Sequence, residues 1–392
     1  MKKIISVLTA TRSEYGLLKP IIAKLNQVNE FDVRIAVTGM HLSQDFGLTY
    51  QEIENDGFTI DKKITILSKS DTPSAISQSM GQAIIGFGEY FEKLKPDLLL
   101  VLGDRYETLA VCCAAMNARI PIAHLYGGET TEGAIDESIR HAITKMSYLH
   151  FTSTEEYRKR VIQLGEDPER VFTVGAIGIE NIKNYKLLTK DELENSLNFK
   201  LDAPFAIVTF HPVTLEDNHV KEQFMELLGA CEEYSTMKYI FTKANADANG
   251  RIINLLIDQY ANNRANVLAV TSLGTLRYLS AMKYCSMVIG NSSSGLLEAP
   301  SFGIPTINIG DRQKGRLQSS SIINCKPETG SISKAIRLAL SNDFQEIAKN
   351  TTNPYGDGVT SEKIVQVVKN YLREGCINLK KSFYNIEFEV SK

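Results

Sequence analysis

The chain of 392 residues is 43% hydrophobic and 23% charged, with a formal net charge of −3. That length and make-up fit about two globular domains, and the charge gives no electrostatic hold on nucleic acid or an anionic membrane, so neither is expected as a partner. No apolar run approaches the ~20 residues that cross a bilayer; the short one at the start runs into Arg12 and Glu14 without a cleavage site and reads as a strand, not a leader.

In chain order, residues 3–11 predict a strand and 13–27 an amphipathic helix, with Leu17, Leu18, Ile21, Ile22 and Leu25 at helical spacing and Ser13 as its N-cap. Strands follow at 32–38, ending in Gly39-Met40-His41, and at 62–67. A long helix at 74–95 leads to strands at 98–102, 120–125 and 148–153, with a small-residue helix at 107–118. A last strand, 171–176, sits at a join near 165–185. The pattern then repeats: strands at 205–210, 238–242, 266–270, 286–289 and 305–309, helices at 221–234, 251–260 and 273–283. A final helix at 359–372 returns to the first domain, and the residues after it show no pattern. Alternating strands and helices make parallel sheets covered on both faces. The expected fold is therefore α/β, two Rossmann-like doubly wound domains with a central cleft. The first is assigned 1–170 plus 360–373, the second 171–359, with 374–392 as a tail.

Six cysteines (112, 113, 231, 285, 325, 376) form no CxxC pair, which points to a reduced, cytoplasmic protein. Cys112 and Cys113 read as packing residues of a small-residue helix. Metal binding is not expected, because His124, His141 and His150 form no i, i+4 ligand pair. No G-x-G-x-x-G follows the first strand, which argues against a dinucleotide cofactor.

Residues 98–145 are dense in ionisable side chains. The strand at 98–102 stops at Gly103-Asp104-Arg105. The strand at 120–125 opens into Tyr126-Gly127-Gly128-Glu129, then a helix carrying Asp136, Glu137, Arg140, His141 and Lys145. Ligands of open α/β sheets bind at such carboxyl ends. Asp104, Glu129, Glu132 and Asp136 are candidate acid/base groups, since carboxylates held close have their pKa values pushed apart. Arg105 and Arg140 can keep some of them ionised; the bland use of the same residues is helix-start charge and surface pairing.

The second half carries a different signal. Gly290-Asn291-Ser292-Ser293-Ser294-Gly295 joins a buried strand to a helix, and free N–H groups, the dipole and hydroxyls suit a phosphate there. Simple N-capping needs one such serine. Glu298, at most two turns into that helix, suits a ribose diol or is a surface residue. His211, held extended by Pro212, is a phosphate donor or an exposed strand-end residue. Residues 310–316 have P-loop glycine spacing but end in Gly315-Arg316-Leu317, so they read as a loop whose Arg312 and Arg316 reach a ligand or solvent.

Taken together, these stretches resemble the hydrolysing UDP-N-acetylglucosamine 2-epimerases of sialic-acid and related nonulosonic-acid pathways. The likeness runs through residues 9–15, 39–42, 103–105, 127–129, 135–145, 211–214, 290–293, 312–316 and 355–358, and so covers about 1–372. It implies a glycosyltransferase-B-like fold. It implies anti elimination of nucleoside diphosphate across C1–C2 to a 2-acetamidoglycal, then syn addition of water to release the free 2-epimer, an N-acetylmannosamine-type sugar. No cofactor is implied, and a cytoplasmic homodimer or homotetramer is expected. By the resemblance, Arg12, Arg105, His211, Asn245, Ser292, Ser293, Glu298 and Arg312 hold the nucleotide and diphosphate. Asp104 and Asp136 match the catalytic carboxylates, and Glu129, Arg140 and Tyr126 complete the catalytic set. One departure stands out: the family commonly has His-x-Glu-Gly-Gly-Glu, whereas this chain has Tyr126 at the first Glu position and a loop one residue longer after Glu129. Glu129 or Glu132 takes over the acid/base role, or Tyr126 does so as a phenol, or the substrate differs, as in a GDP-linked or 2,4-diacetamido-6-deoxy sugar. A retaining glycosyltransferase and a non-catalytic nucleotide-sugar sensor are the alternative functions.

Overall fold

The computed structural model describes residues 2–68, 70, 72–130, 135–212, 219–244, 250–356, 358–375 and 377–387. Among them the strands form two all-parallel sheets. The first holds β1 (Lys3–Thr9), β2 (Phe31–Thr38), β3 (Ile60–Ile64), β4 (Leu98–Leu102), β5 (Ile122–Leu125), β6 (Leu149–Thr152) and β7 (Val171–Thr173), in the order β3-β2-β1-β4-β5-β6-β7. The second holds β8 (Phe205–Thr209), β9 (Lys238–Thr242), β10 (Val267–Val270), β11 (Met287–Gly290), β12 (Thr306–Ile309) and β13 (Ile322–Cys325), in the order β10-β9-β8-β11-β12-β13. Each sheet starts in its middle, runs to one edge, then crosses back and runs to the other. The loops leaving β1 and β4, and those leaving β8 and β11, therefore part in opposite directions, and such a switch point is where a doubly wound sheet leaves room for a ligand.

The chain divides into two compact units, one of Met1–Glu129, Asp136–Asn181 and Tyr355–Lys392, the other of Thr130–Ile135 and Ile182–Pro354. β7 pairs with β6, so residues 171–173 belong to the first sheet and not to the second domain, where the sequence placed them. The chain beyond residue 374 also joins the first unit. There Lys381 Nζ donates to the carbonyls of Lys145 and Ser147, 2.9 and 2.6 Å away, and pairs with Glu166 at 2.7 Å. That segment has no periodicity because single side chains, not an apolar face, hold it.

Apolar burial drives both units. In the first, Leu99 and Val101 of β4 pack with Phe87, Phe91, Ala110, Val111 and Ala115. The run of alanines and cysteines in the helix Tyr106–Asn117 lets it lie close to its neighbours, and burial pushes the Cys112 thiol far up, which fits its reading as a packing residue. In the second, Val208, Phe210, Phe224, Phe241, Ile289, Ile307 and Ile336 form the core. The first helix runs Arg12–Asn26 and is capped by Thr11, not Ser13: Thr11 Oγ1 accepts from Glu14 N at 3.3 Å, and the Glu14 carboxylate reaches back to the N-cap backbone. Arg12 thus becomes the first helical residue. The sequence reading also missed β13 and the helices Thr329–Ala339 and Asn342–Lys349. β13 is a short edge strand with its side chains only partly buried, so it lacks an apolar run. The helix Thr329–Ala339 did carry a signal, with Ile332, Ala335, Ile336 and Ala339 at helical spacing and buried.

Among the described residues no helix is long and apolar enough to cross a membrane.

Candidate active site

At the first switch point the exits of β1 and β4 bring charged groups together. Arg105 donates from Nε and Nη2 to the two carboxylate oxygens of the fully buried Glu107, each at 3.2 Å. Its Nε lies 4.0 Å from Glu14 Oε1. Gly39, at φ +58°, passes so close that a Cβ there would stand 3.3 Å from Glu107 Oε1. Arg12 pairs with Glu52 at 2.7 Å on a partly exposed face. His41 is sealed between two threonine hydroxyls, Thr9 at 2.9 Å and Thr49 at 2.8 Å, and burial pushes its pKa down to about 4. It is a neutral ring at physiological pH.

Between β4 and β5 one guanidinium ties the two exits. Arg140, from the helix Asp136–Met146, is 2% exposed; it forms an ion pair with Asp104 and donates Nη1 to the Tyr126 carbonyl at 3.0 Å. A charge-assisted bond to a buried arginine fixes the carboxylate's orientation. His124, below it, donates Nε2–H to the Gly103 carbonyl at 2.8 Å and accepts from Thr144 at 3.2 Å on Nδ1, with its pKa pushed by burial to about 3. It braces the Gly103-Asp104 turn as a neutral ring. Asp136 is the half-buried first residue of the helix that carries Arg140.

Tyr126 has left-handed backbone, φ +66°, which costs a bulky residue of the order of 1 kcal/mol. Its amide donates to Phe151 O at 2.9 Å, and its hydroxyl accepts from Ile177 N at 2.8 Å, at the start of the helix Ile177–Asn184. The backbone of Tyr126 thus presents its carbonyl to Arg140 while the buried phenol caps a helix. Two residues on, Gly128 at φ +79° admits no side chain, since a Cβ would meet Tyr157 O at 2.2 Å. Glu129 then turns inward, buried, and accepts from Ser153 Oγ at 2.7 Å. Glu132 lies outside the described residues.

The second switch point is built from amides and hydroxyls. His211 N donates to Asn291 Oδ1 at 2.7 Å, and Asn291 Nδ2 donates back to the His211 carbonyl at 2.8 Å. The Asn291 carbonyl in turn accepts from Arg312 Nη1 at 3.0 Å and Gln313 Nε2 at 2.8 Å. Asn291 is thus a buried hub joining the exits of β8 and β11 to the loop after β12. Gly290, at φ +135°, would put a Cβ 1.9 Å from Thr209 O, so only glycine lets the two strands approach. Ser292 and Ser293 are half-buried beside it. The following helix, Ser294–Leu297, is a single turn, and Glu298 is its C-cap, within the two turns the sequence allowed. So short a helix has little dipole, and an anion there relies on the loop's own polar groups. Arg316 donates to the Thr130 carbonyl at 2.6 Å, so it serves the loop and is not simply a solvated side chain. Asn245 lies outside the described residues.

Within the first unit the structure thus gathers Asp104, Tyr126 and Arg140; within the second it gathers His211, Asn291 and Arg312, with Ser292 and Ser293 adjacent. The sequence reading missed Glu14, Glu107, Ser153 and Gln313. Only Glu14 had a local sign, three residues after a threonine.

The chain matches the model of the family described as UDP-N-acetylglucosamine 2-epimerase over residues 23–369. It is 43% identical over 346 residues to the GDP/UDP-N,N'-diacetylbacillosamine 2-epimerase (hydrolyzing) of Campylobacter jejuni, covering 88% of this chain and 89% of that one. It is 40% identical over 387 residues to polysialic acid biosynthesis protein P7 of Escherichia coli, covering 98% of each. In fold it is similar to the UDP-GlcNAc 2-epimerase of Neisseria meningitidis solved with UDP-GlcNAc, at a TM-score of 0.78 and 21% identity over 94% of this chain and all of that one. Two parallel doubly wound sheets of glycosyltransferase-B type and a match along nearly the whole chain lead to one conclusion: this protein belongs to the UDP-N-acetylglucosamine 2-epimerase family.

Proposed function

We propose that the protein is a hydrolysing 2-epimerase of a nucleotide-linked 2-acetamido sugar, with a GDP- or UDP-linked 2,4-diacetamido-6-deoxy hexose preferred over UDP-N-acetylglucosamine. The observation that carries the proposal is the Asp104–Arg140–Tyr126 bridge: a carboxylate oriented at a strand exit by a buried guanidinium. The named activity of the Campylobacter jejuni relative and the tyrosine at position 126 support the change of sugar.

In the first step a carboxylate takes the C2 proton, the C1–O bond breaks, and its electron pair leaves on the diphosphate, giving the C1=C2 glycal. Asp104 and Asp136 are the proposed proton carriers, with Glu129 assisting. Arg12, Arg105, His211, Asn245, Ser292, Ser293 and Arg312 are proposed to bear the developing diphosphate charge, and Glu298 the ribose diol. In the second step water adds its oxygen to C1 and a proton to C2 on one face, the face opposite to that of the hydrogen lost, which inverts C2 and yields the free sugar. Tyr126, whose hydroxyl is engaged by a helix amide, acts here by position and not as a proton carrier.

We further place the protein in the cytoplasm as a homodimer or homotetramer. The five described cysteines are all free thiols, as a reducing compartment keeps them, and Ile85 and Met116 offer exposed apolar surface to a second copy.

Incubation with UDP-N-acetylglucosamine and with the UDP- and GDP-linked diacetamido sugars tests the function. The expected products are nucleoside diphosphate and a free sugar inverted at C2, formed fastest from a diacetamido substrate. Release from none of them contradicts the proposal, and sugar transfer without epimerisation would point to a glycosyltransferase.

A further inference from the structure

Glu14 does more than cap a helix. An N3 glutamate of a capping box needs one carboxylate oxygen for the N-cap backbone. Here Oε2 does that work, accepting from Ala10 N at 2.7 Å and Thr11 N at 3.3 Å. The other oxygen, Oε1, is buried without a hydrogen-bond partner among the described residues and lies 4.0 Å from Arg105 Nε. The residue as a whole is only 7% exposed. Arg105 meanwhile is held by both oxygens of Glu107. One guanidinium therefore stands beside two buried carboxylates, one from the β1 exit and one from the helix Tyr106–Asn117.

The groups around Glu14 can be named element by element. The β4 exit gives Arg105 and the helix after it gives Glu107; the helix of Glu14 also carries Arg12, which is paired with Glu52. The turn at 39–42 gives His41, which burial keeps neutral. Burial pushes the Glu14 carboxyl up to about 7, with Arg105 pulling it down and Glu107 adding to the rise. With both carboxylates ionised, this trio is net negative where a diphosphate must approach. With Glu14 protonated it is neutral.

We propose that Glu14 is a proton-linked positioning residue: ionised, it adds a second negative charge beside Arg105 and opposes the diphosphate; protonated, it leaves the Arg105–Glu107 pair neutral and open to the diphosphate. The proposal rests on the reading of Arg105 as a diphosphate ligand. It follows that nucleotide binding draws a proton onto Glu14 and weakens as pH rises through neutrality.

Calorimetry of UDP and GDP binding to the full chain, at pH 7.5 in PIPES and in Tris, reads the proton directly, because the two buffers differ in ionisation heat. The wild type should take up a substantial fraction of a proton, and its affinity should fall about tenfold between pH 6.5 and 8.5, the effect of one nearby charge. E14Q keeps an oxygen for the Ala10 amide and is permanently neutral, so it should bind without that uptake and without the slope. The companion variant E107Q removes the neighbouring negative charge and should move the midpoint of the slope to lower pH, which keeps the test open if E14Q fails to fold. Equal proton uptake by E14Q and wild type, no uptake by wild type, or an unmoved midpoint in E107Q overturns the proposal. Failure of both nucleotides to bind wild type at any pH overturns the nucleotide reading itself, and this inference with it.

Discussion

At the exit of β4 stand Asp104 and Arg105, backed by Glu14, Glu107 and Arg140; at the exit of β11 stand Asn291, Ser292 and Ser293, backed by His211 and Gln313. The two sheets share one strand order about their switch points. They differ in what lines them. The first is lined with paired charges, the second with an amide hub, hydroxyls and backbone, to which the Arg312 guanidinium is bonded. Carboxylates beside guanidiniums can move protons and shift with pH; amides and hydroxyls hold a shape and an anion without titrating. In the proposed function the same topology serves proton chemistry in the first unit and ligand holding in both.

Substitutions should separate the two roles. The largest effect is expected for Asp104→Asn, which keeps the shape but removes the proton acceptor: kcat should fall about a thousandfold with KM nearly unchanged, read from nucleoside diphosphate release. Arg140→Met should cost about 3 kcal/mol of stability, measured by urea unfolding, because it strips a partner from a buried pair, and turnover should fall roughly a hundredfold. In the second unit, Asn291→Ala should act on binding: KM should rise at least about tenfold while kcat stays within a few-fold, since two reciprocal bonds to His211 are lost. An equal loss of kcat in Asn291→Ala would erase the contrast between the regions. Tyr126→Phe should be milder still, about 1 kcal/mol from the lost bond to Ile177 N, with kcat nearly intact. A hundredfold fall in kcat would make the phenol a proton carrier after all.

Much of this was legible in the sequence, for identifiable reasons. Buried parallel strands are unbroken apolar runs, so residues 98–102 and 205–210 announced themselves, and with them the exits where Asp104 and His211 stand. What periodicity does not carry is pairing across the sheet. Nothing local says that Arg140 returns to Asp104 or that Asn291 faces His211; that depends on strand order, which places β4 beside β5 and β8 beside β11. Nothing local marked Glu107, and Glu14 showed only its spacing from a threonine, because burial is a property of the assembled sheet. The 290–295 loop was legible as a turn, but the helix after it is one turn long, and Pro300 lies in the 3-10 segment Ala299–Phe302 that follows.

The smallest effect near neutrality is on stability. His41 and His124 have folded pKa values of about 4 and about 3, below the ordinary 6.5. The unfolded chain therefore binds more protons below about 6.5, and stability should decline as pH falls through that point. Glu166 adds a second loss. Burial pushes its carboxyl up, but His150, Lys145 and Lys381 outweigh it and hold it at about 2, so its contribution disappears between about 4.5 and 2. Urea midpoints measured from pH 7 to 4 should fall steadily, and His41→Asn should flatten the upper part of that fall.

Proton exchange at C2, carried by carboxylates, is the central step of the proposed function. Reaction with a nucleotide-linked diacetamido sugar in deuterated water, followed by NMR of the released sugar, tests it most directly. The expected product is an inverted free sugar carrying one solvent deuterium at C2, formed about a thousandfold more slowly by Asp104→Asn. A free sugar that keeps its original hydrogen and configuration at C2 would contradict it.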